Sequence, residues 1–371
     1  NNKITSLSYK ILVNSHLEFI TLESREGTNI YRRSLCFLLQ RASKELFPIR
    51  RLIIGHSLGK GYFYYFENTE KIIQEDLDQL KKKMQEIIEE DMPIKRKFIS
   101  YMDAVRYFHE NNQPDTELLL GFHNYSKIPV YECGGFIDIA HGPLVPSTGV
   151  LKVFDIMNYT PGFILRYFSF GKPDKIEKFK ENPVLFSIYR EYKAWGKILN
   201  VHCVGALNEL HSKGKIKEFI QVNEALHNKK ISEIADKIVH QGPQTRLVLI
   251  AGPSSSGKTT LAKKLAIQLR MYGFHPIQLS IDNYFLPRDQ TPVDEDGHYD
   301  FENIDAIDVP LFNEHLSALL RGEKVVIPEY SFVHGDRKAD GFMLQLAENG
   351  IIICEGIHFL NNRLSSQVRK R

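Results

Sequence analysis

The sequence predicts a multi-domain protein that is α+β in its first part, helical in its middle and a parallel α/β sheet at its end. Three observations carry this. Before residue 170, short apolar runs broken by glycine turns surround one long amphipathic helix. Between residues 171 and 243 the strand signals give way to helical stripes. From Gln244 onward, strand and helix patterns alternate. A chain of 371 residues has room for two or three cores, and 43% hydrophobic with 25% charged residues is an ordinary globular balance.

Several classes fall away at once. No run approaches the roughly 18 apolar residues that a spanning helix needs. The opening NNKITSLSYK lacks the apolar centre of a secretion signal and reads as the interior of a domain. Cys36, Cys133, Cys203 and Cys354 have neither CxxC nor finger spacing, so they read as reduced thiols of a cytoplasmic protein rather than a zinc framework. A net charge of +3 gives no argument for nucleic acid, and the basic clusters Lys81–Lys83 and Lys95–Lys97 read first as solvated faces.

In the first region, NTEKIIQEDLDQLKKKMQEIIEED predicts a helix from about Asn68, with acids in its first turn. Ile73, Leu77, Leu80, Met84, Ile87 and Ile88 form its apolar stripe, and Pro93 lies beyond its end. RLIIGHSLGKGYFYYFE and KIPVYECGGFIDIA predict strands turning at glycines. The middle region predicts helices with seams at Leu185, Ile188, Tyr192, Trp195 and Ile198, then at Phe219, Val222, Leu226, Ile231, Ile234 and Ile238. In the last region TRLVLIA, HPIQLSID and IIICEG predict buried strands, and TTLAKKLAIQLRMYG a helix ending at glycine. In open parallel sheets ligands bind beyond the carboxyl ends of strands, which is where the polar residues of this region fall.

The chemistry starts at Gly252-Pro253-Ser254-Ser255-Ser256-Gly257-Lys258-Thr259, a complete GxxxxGK[ST] loop between a strand and a helix. Glycines let the backbone wrap so that N–H groups face phosphate oxygens, and the following helix N-terminus favours negative charge. Gly252, Ser254, Ser255, Ser256, Gly257, Lys258, Thr259 and Thr260 are therefore candidate phosphate-binding residues for ATP. Lys258 is expected to reach the β- and γ-phosphates, and Thr259 to give its hydroxyl to Mg²⁺. The next strand ends at Asp282, where a carboxylate can orient an acceptor hydroxyl and take its proton, although a plain turn aspartate would look the same in sequence. Glu355 closes the strand Ile351-Ile352-Ile353-Cys354, a position suited to metal binding. DFENIDAID and IPEYSFVHGDR lie between them and carry aromatic, histidine and arginine side chains able to grip a sugar or base.

In GPSSSGKTT, SIDNYF, YDFENIDAID, LLRGEKVVIPEYSF and IICEGIH, residues 244–371 resemble the uridine kinase and phosphoribulokinase family of P-loop kinases. The resemblance implies that Asp282 is the catalytic base and that Phe301 and Glu302 meet the nucleoside. It places Tyr330, Phe332 and Arg337 around the base, with His334 one residue earlier than the family's histidine. Glu302 stands where the family has aspartate. The family also carries a further strand and an arginine-bearing lid, whereas this sequence runs about 16 residues past Glu355; the expectation is weak nucleotide binding and little turnover by this stretch alone.

Residues of about 30–170 are similar to the second additional domain of threonyl-tRNA synthetases, which hydrolyses mischarged tRNA. The matching segments are YRRSLCFLLQRASKELFP, IGHSLGKGYFYYFE, EDLDQLKKKMQEII with MPIKRKFIS, and VYECGGFIDIAHGPLVPSTG. The family's ligand positions fall on Arg33, Phe37, Ala140 and Leu144, none of which ligates metal, so editing hydrolysis is not expected. His56, Cys133 and His141 are polar residues nearby without the spacing of a site. The expected organisation is thus a synthetase-like domain over 1–170, a helical connector over 171–243 and a P-loop kinase domain over 244–371. The leading functional expectation is phosphorylation of the 5′-hydroxyl of uridine or cytidine with ATP and Mg²⁺. Another alcohol or sugar acceptor, or a non-catalytic nucleotide-regulated RNA-binding protein, stays open, as does a homo-oligomer.

Overall fold

The computed structural model describes residues 4–365 except 8, 70, 295 and 296. It divides into two compact units, Asn1–Ile216 and Lys217–Arg371.

The first unit opens on α1 (Arg25–Leu46). Ser24 stays extended and its hydroxyl accepts the Gly27 N–H at 3.0 Å, which starts the helix. Tyr31, Leu35, Leu38, Leu39 and Ala42 form its buried face. A hairpin follows, β1 (Leu52–Leu58) and β2 (Gly61–Phe66), turning through Gly59 at φ +57°. Next come α2 (Gln74–Glu89), β3 (Lys95–Ser100), α3 (Tyr101–Glu110), α4 (Pro114–Leu120), β4 (Lys127–Cys133), β5 (Phe136–Asp138), β6 (Phe154–Tyr159) and β7 (Gly162–Tyr167). The strands make two antiparallel sheets, ordered β1-β2-β7-β6 and β3-β4-β5. This is the α+β arrangement that the glycine-broken runs predict.

The helix expected from Asn68 begins later, at Gln74, behind Ile73, which makes no side-chain cap. Asn68 instead turns the chain out of β2 at φ +57°, a left-handed conformation that asparagine tolerates. The expected stripe of α2 is buried from Leu77 to Ile88, while Ile73 is exposed. Two further helices, α5 (Pro183–Ile198) and α6 (Val204–Ser212), complete the unit. The seam read for α5 is overturned: Ile188, Tyr192 and Ile198 are exposed. The packed side is the neighbouring one, where Phe186 meets Phe63 at 4.9 Å and Tyr159 at 4.8 Å, and Tyr189 stacks on His56 at 4.2 Å. Aromatic contact area outweighs the longer aliphatic repeat.

The second unit begins with α7 (Ile216–His240), whose Ile231, Ala235 and Ile238 enter a core. Its earlier seam residues are less enclosed, and Val222 and Ile234 are exposed. The rest is β8 (Leu247–Ala251), α8 (Lys258–Met271), β9 (His275–Ser280), α9 (Val309–Leu320), β10 (Lys324–Ile327), β11 (Tyr330–Ser331), β12 (Asp336–Arg337), β13 (Phe342–Gln345), β14 (Gly350–Gly356) and α10 (Asn362–Ser365). β8, β14 and β9 form a parallel sheet with β14 in the middle. Every residue of β14 is buried, as its unbroken apolar run requires. α8 packs on this sheet through Ala262, Leu265, Ala266 and Leu269. The small hairpins β10/β13 and β11/β12 are antiparallel.

Candidate active site

Register alone brings the main candidates together. Glu355 on β14 pairs with Ile250 of β8 on one side and Ser280 of β9 on the other. The loop from Gly252 follows β8 directly, and the turn carrying Asp282 follows β9 directly. The phosphate loop, Asp282 and Glu355 therefore share the carboxyl edge of one parallel sheet, the usual ligand side of such sheets.

The loop has the backbone of an anion cradle. Ser255 and Gly257 both take left-handed conformations, at φ +59° and +85°. Alternation of this kind turns successive N–H groups toward one concavity. Gly257 is also the N-cap of α8 and forms no side-chain cap hydrogen bond. The first-turn N–H groups at Lys258, Thr259 and Thr260 thus keep the positive end of the helix open to an anion. A Cβ at Gly252 would stand 2.8 Å from Ser256 Oγ and 3.4 Å from the Lys258 stem, so a larger residue there would displace the Ser256 hydroxyl within the loop. Lys258 Nζ donates to the Pro253 carbonyl at 2.9 Å, which holds the ammonium over the loop.

Ser280 Oγ accepts the Asp282 N–H at 3.3 Å and caps the short turn Ile281–Tyr284. The capping oxygen is Ser280's, so the reading of Asp282 as a cap is not needed to explain the turn. Asp282 is exposed at the edge yet crowded by protein atoms. That crowding, and next the Glu355 charge, raise its carboxyl above the ordinary aspartate value, while Lys258 pulls it down. Glu355 is only 7% exposed. A carboxylate so enclosed at the end of an apolar strand calls for a cation, and Lys258 and a divalent metal are the two on offer. The donor set of Thr259 hydroxyl, Glu355 and the glycine cradle fits Mg²⁺ bound to nucleotide phosphates.

The aromatic candidates gather around a residue that sequence reading passed over. Phe285, three positions beyond Asp282, meets Phe301 at 5.7 Å, Tyr330 at 5.5 Å and Phe332 at 5.4 Å, and Tyr330 meets Phe332 at 5.1 Å. The signal was present in the SIDNYF segment, but an aromatic there reads equally as core. Phe332 is exposed while Phe285 and Tyr330 are buried, so the cluster offers one open ring. Glu302 is exposed, and its charge, with that of Asp300, reaches His358 beyond the end of β14. Burial is the stronger influence on His358 and lowers its imidazole pKa. His334 is exposed in the β11/β12 turn, its N–H donating to Ser331 Oγ at 3.4 Å, and makes no part of the ring cluster.

Arg337 is placed differently from a residue reaching for a ligand. Its guanidinium donates to the carbonyls of Phe285 at 3.2 Å and Tyr284 at 3.4 Å, and to Asp308 Oδ2 at 3.0 Å. It ties the turn carrying Asp282 to the start of α9. Asp308 Oδ1 meanwhile accepts the Leu311 N–H at 3.1 Å and caps that helix.

In the first unit the four positions expected to have lost metal ligands carry other contacts. Arg33 donates to the Pro143 carbonyl at 2.6 Å, Phe37 packs edge-on to Phe136 at 5.2 Å, Leu144 is buried, and Ala140 lies against the same core. His56 lies under Tyr189 and Cys133 accepts from Arg41 at 3.0 Å, so these two have separate partners. Lys81 pairs with Asp155 and Lys83 with Glu45, at 2.8 and 2.9 Å, and Lys97 pairs with Glu132. Much of the basic character noted in the sequence is thus neutralised locally.

Known proteins divide along the same line as the two units. Residues 247–369 match the Phosphoribulokinase / Uridine kinase family. The N-terminal region matches threonine–tRNA ligases. That of Carboxydothermus hydrogenoformans is 36% identical over 159 residues, covering 43% of this chain and 25% of the ligase. That of Burkholderia ambifaria is 37% identical over 142 residues, covering 38% and 22%. The chain thus spans about a quarter of the length of these curated relatives. Among solved structures, a possible uridine kinase from Bacillus stearothermophilus has a TM-score of 0.32 and 23% identity, covering 37% of this chain and 75% of that one. D-glycerate 3-kinase from Cryptococcus neoformans has a TM-score of 0.27 and 19% identity, covering 35% and 52%. Among the described residues, no helix is long and apolar enough to cross a membrane.

Proposed function

We propose that the second unit transfers the γ-phosphoryl group of ATP to a hydroxyl of a small molecule, with the 5′-hydroxyl of uridine or cytidine as the first acceptor to test. The observation that carries this is the common edge shared by the Gly252–Thr260 cradle, Asp282 and the buried Glu355. In this reading the loop N–H groups and Lys258 hold the phosphates in line with the acceptor. Thr259 and Glu355 would hold Mg²⁺, which when bound neutralises charge on the phosphate oxygens. Asp282 accepts the acceptor's proton, and its raised pKa makes it a stronger base than a free aspartate. Phe332 offers a face to a base or sugar, and Glu302 a carboxylate to vicinal hydroxyls. Arg337 acts as a positioning residue for the Asp282 turn.

A second reading keeps the reaction and changes the acceptor to another alcohol or a sugar. Glu302 favours it, because a glutamate in place of the expected aspartate extends the carboxylate by one methylene. His334 favours it too, standing apart from the aromatic cluster. The test is ADP release by the full chain with ATP and Mg²⁺ across uridine, cytidine, sugars and glycerate-like alcohols. Stimulation by the two nucleosides alone supports the first reading. Stimulation by a sugar or simple alcohol alone replaces it with the second, and no stimulation by any acceptor contradicts both.

A further inference from the structure

Three side chains with metal-binding atoms meet in the first unit. Asp115, His202 and Cys203 each offer one ligand atom, and the three atoms lie within 4.8 Å of one another. His202 Nε2 is 3.2 Å from Asp115 Oδ1. The sequence hides this group, because Asp115 sits in the first turn of α4 while His202 and Cys203 lead into α6, 87 residues later. Packing brings them together: Gly205 lets α6 lie against α4 so closely that a Cβ there would touch Leu119 N at 2.9 Å.

We propose that Asp115, His202 and Cys203 form a divalent-cation site with the mixed oxygen, nitrogen and sulfur donor set suited to zinc. Metal–ligand bonds of about 2.0–2.3 Å in a tetrahedron separate neighbouring ligand atoms by roughly 3.3–3.8 Å. The Asp115–His202 spacing is already near that range, and the Cys203 sulfur lies within 4.8 Å of both ligand atoms. Three protein ligands leave a fourth position to water, or to a ligand from solution, since His202 is exposed.

The surroundings have the form of an outer shell. Arg51 pairs with Asp115 through Oδ2, which leaves Oδ1 on the side of His202. Ligating carboxylates are commonly held by a second hydrogen bond in this way. Cys203 is the N-cap of α6. Burial, reinforced by Asp115 and only partly offset by the Ala206 and Gly205 N–H groups, holds its thiol above the ordinary value, so a metal would bind here by displacing the thiol proton. Lys193 also acts electrostatically on Asp115 and Cys203. Its ammonium opposes a second cation, so it sets a limit on affinity. A bound ion would clamp the lead into α6 onto α4.

The test is a Co²⁺ titration of the reduced full chain after chelation, followed by Zn²⁺ competition. The expected result is a single equivalent of Co²⁺ with a thiolate-to-cobalt charge-transfer band, displaced by a single equivalent of Zn²⁺. Cys203→Ser removes the band, and His202→Gln and Arg51→Gln each weaken Zn²⁺ by about 10- to 100-fold. Lys193→Met tightens it. No band, a band that survives Cys203→Ser, or unchanged Zn²⁺ affinity in His202→Gln overturns the proposal. His202 is exposed and outside the helices, so His202→Gln decides the matter even where Cys203→Ser fails to fold.

Discussion

Arg337→Met separates two jobs that one arginine could have beside the candidate active site. The guanidinium makes three contacts within the unit, to Asp308 Oδ2 at 3.0 Å and to two carbonyls at 3.2 and 3.4 Å. A charge-assisted bond contributes about 1.5–3 kcal/mol and the two longer ones about 0.5 kcal/mol each. Both partners of the ion pair are about a quarter open to solvent, at 23% each, which trims the sum to about 2–3 kcal/mol. Hydrogen–deuterium exchange of the peptide covering residues 281–286 reads this locally. Opening should become about 30- to 150-fold easier, since 1.4 kcal/mol is tenfold. Asp308→Asn keeps an oxygen to cap α9 and loses only the charge, so the double variant should lose less than the two singles together, by about 1–2 kcal/mol. With the turn loosened, kcat should fall more than acceptor KM rises. Exchange unchanged within twofold, together with a raised acceptor KM, would refute the positioning role and return Arg337 to direct acceptor contact.

Two other expectations follow from close contacts and burial. Gly356→Ala would place a Cβ 2.1 Å from Ile281 Cγ2, next to Asp282; the unit should lose about 1–3 kcal/mol in thermal unfolding and most of its turnover. Ile281→Ala in the same chain should recover part of both, and strictly additive losses would show that the clash is not the cause. Burial pushes the Asp138 carboxyl up to about 6. A folded pKa above the unfolded one means that the folded state holds its proton more tightly, so the cost is absent below about pH 4 and grows until pH passes 6. Asp138→Asn should therefore stabilise the first unit at pH 7.5 by about 1–3 kcal/mol, the lower figure reflecting its partial exposure, and do nothing at pH 3.5. A pH-independent effect would contradict this.

Much of this was legible in the sequence because it rests on local rules. The GxxxxGK[ST] loop, the apolar strands and the glycine turns state their structure within a few residues, and their carboxyl ends gather the chemistry by topology alone. Side-chain direction was harder. In α5 two apolar stripes compete, and only Phe63 and Tyr159, from distant strands, decide that Phe186 is packed rather than Ile188. Asn68 has the composition of a helix cap, yet the turn out of β2 claims it. Phe285 and Arg337 required the tertiary structure too, since an aromatic hub and a carbonyl clamp leave no spacing rule. The Asp115–His202–Cys203 group is the extreme case, set by two helices packed through a glycine.

Transfer of the γ-phosphoryl group tests the central claim most directly, measured as acceptor-dependent ADP release by the full chain and by Asp282→Asn. The account predicts turnover with at least one hydroxyl acceptor, lost by about 100-fold or more in the variant while ATP binding stays the same. Turnover that survives in Asp282→Asn, or ATP binding without transfer to any acceptor in the unmodified chain, would contradict it.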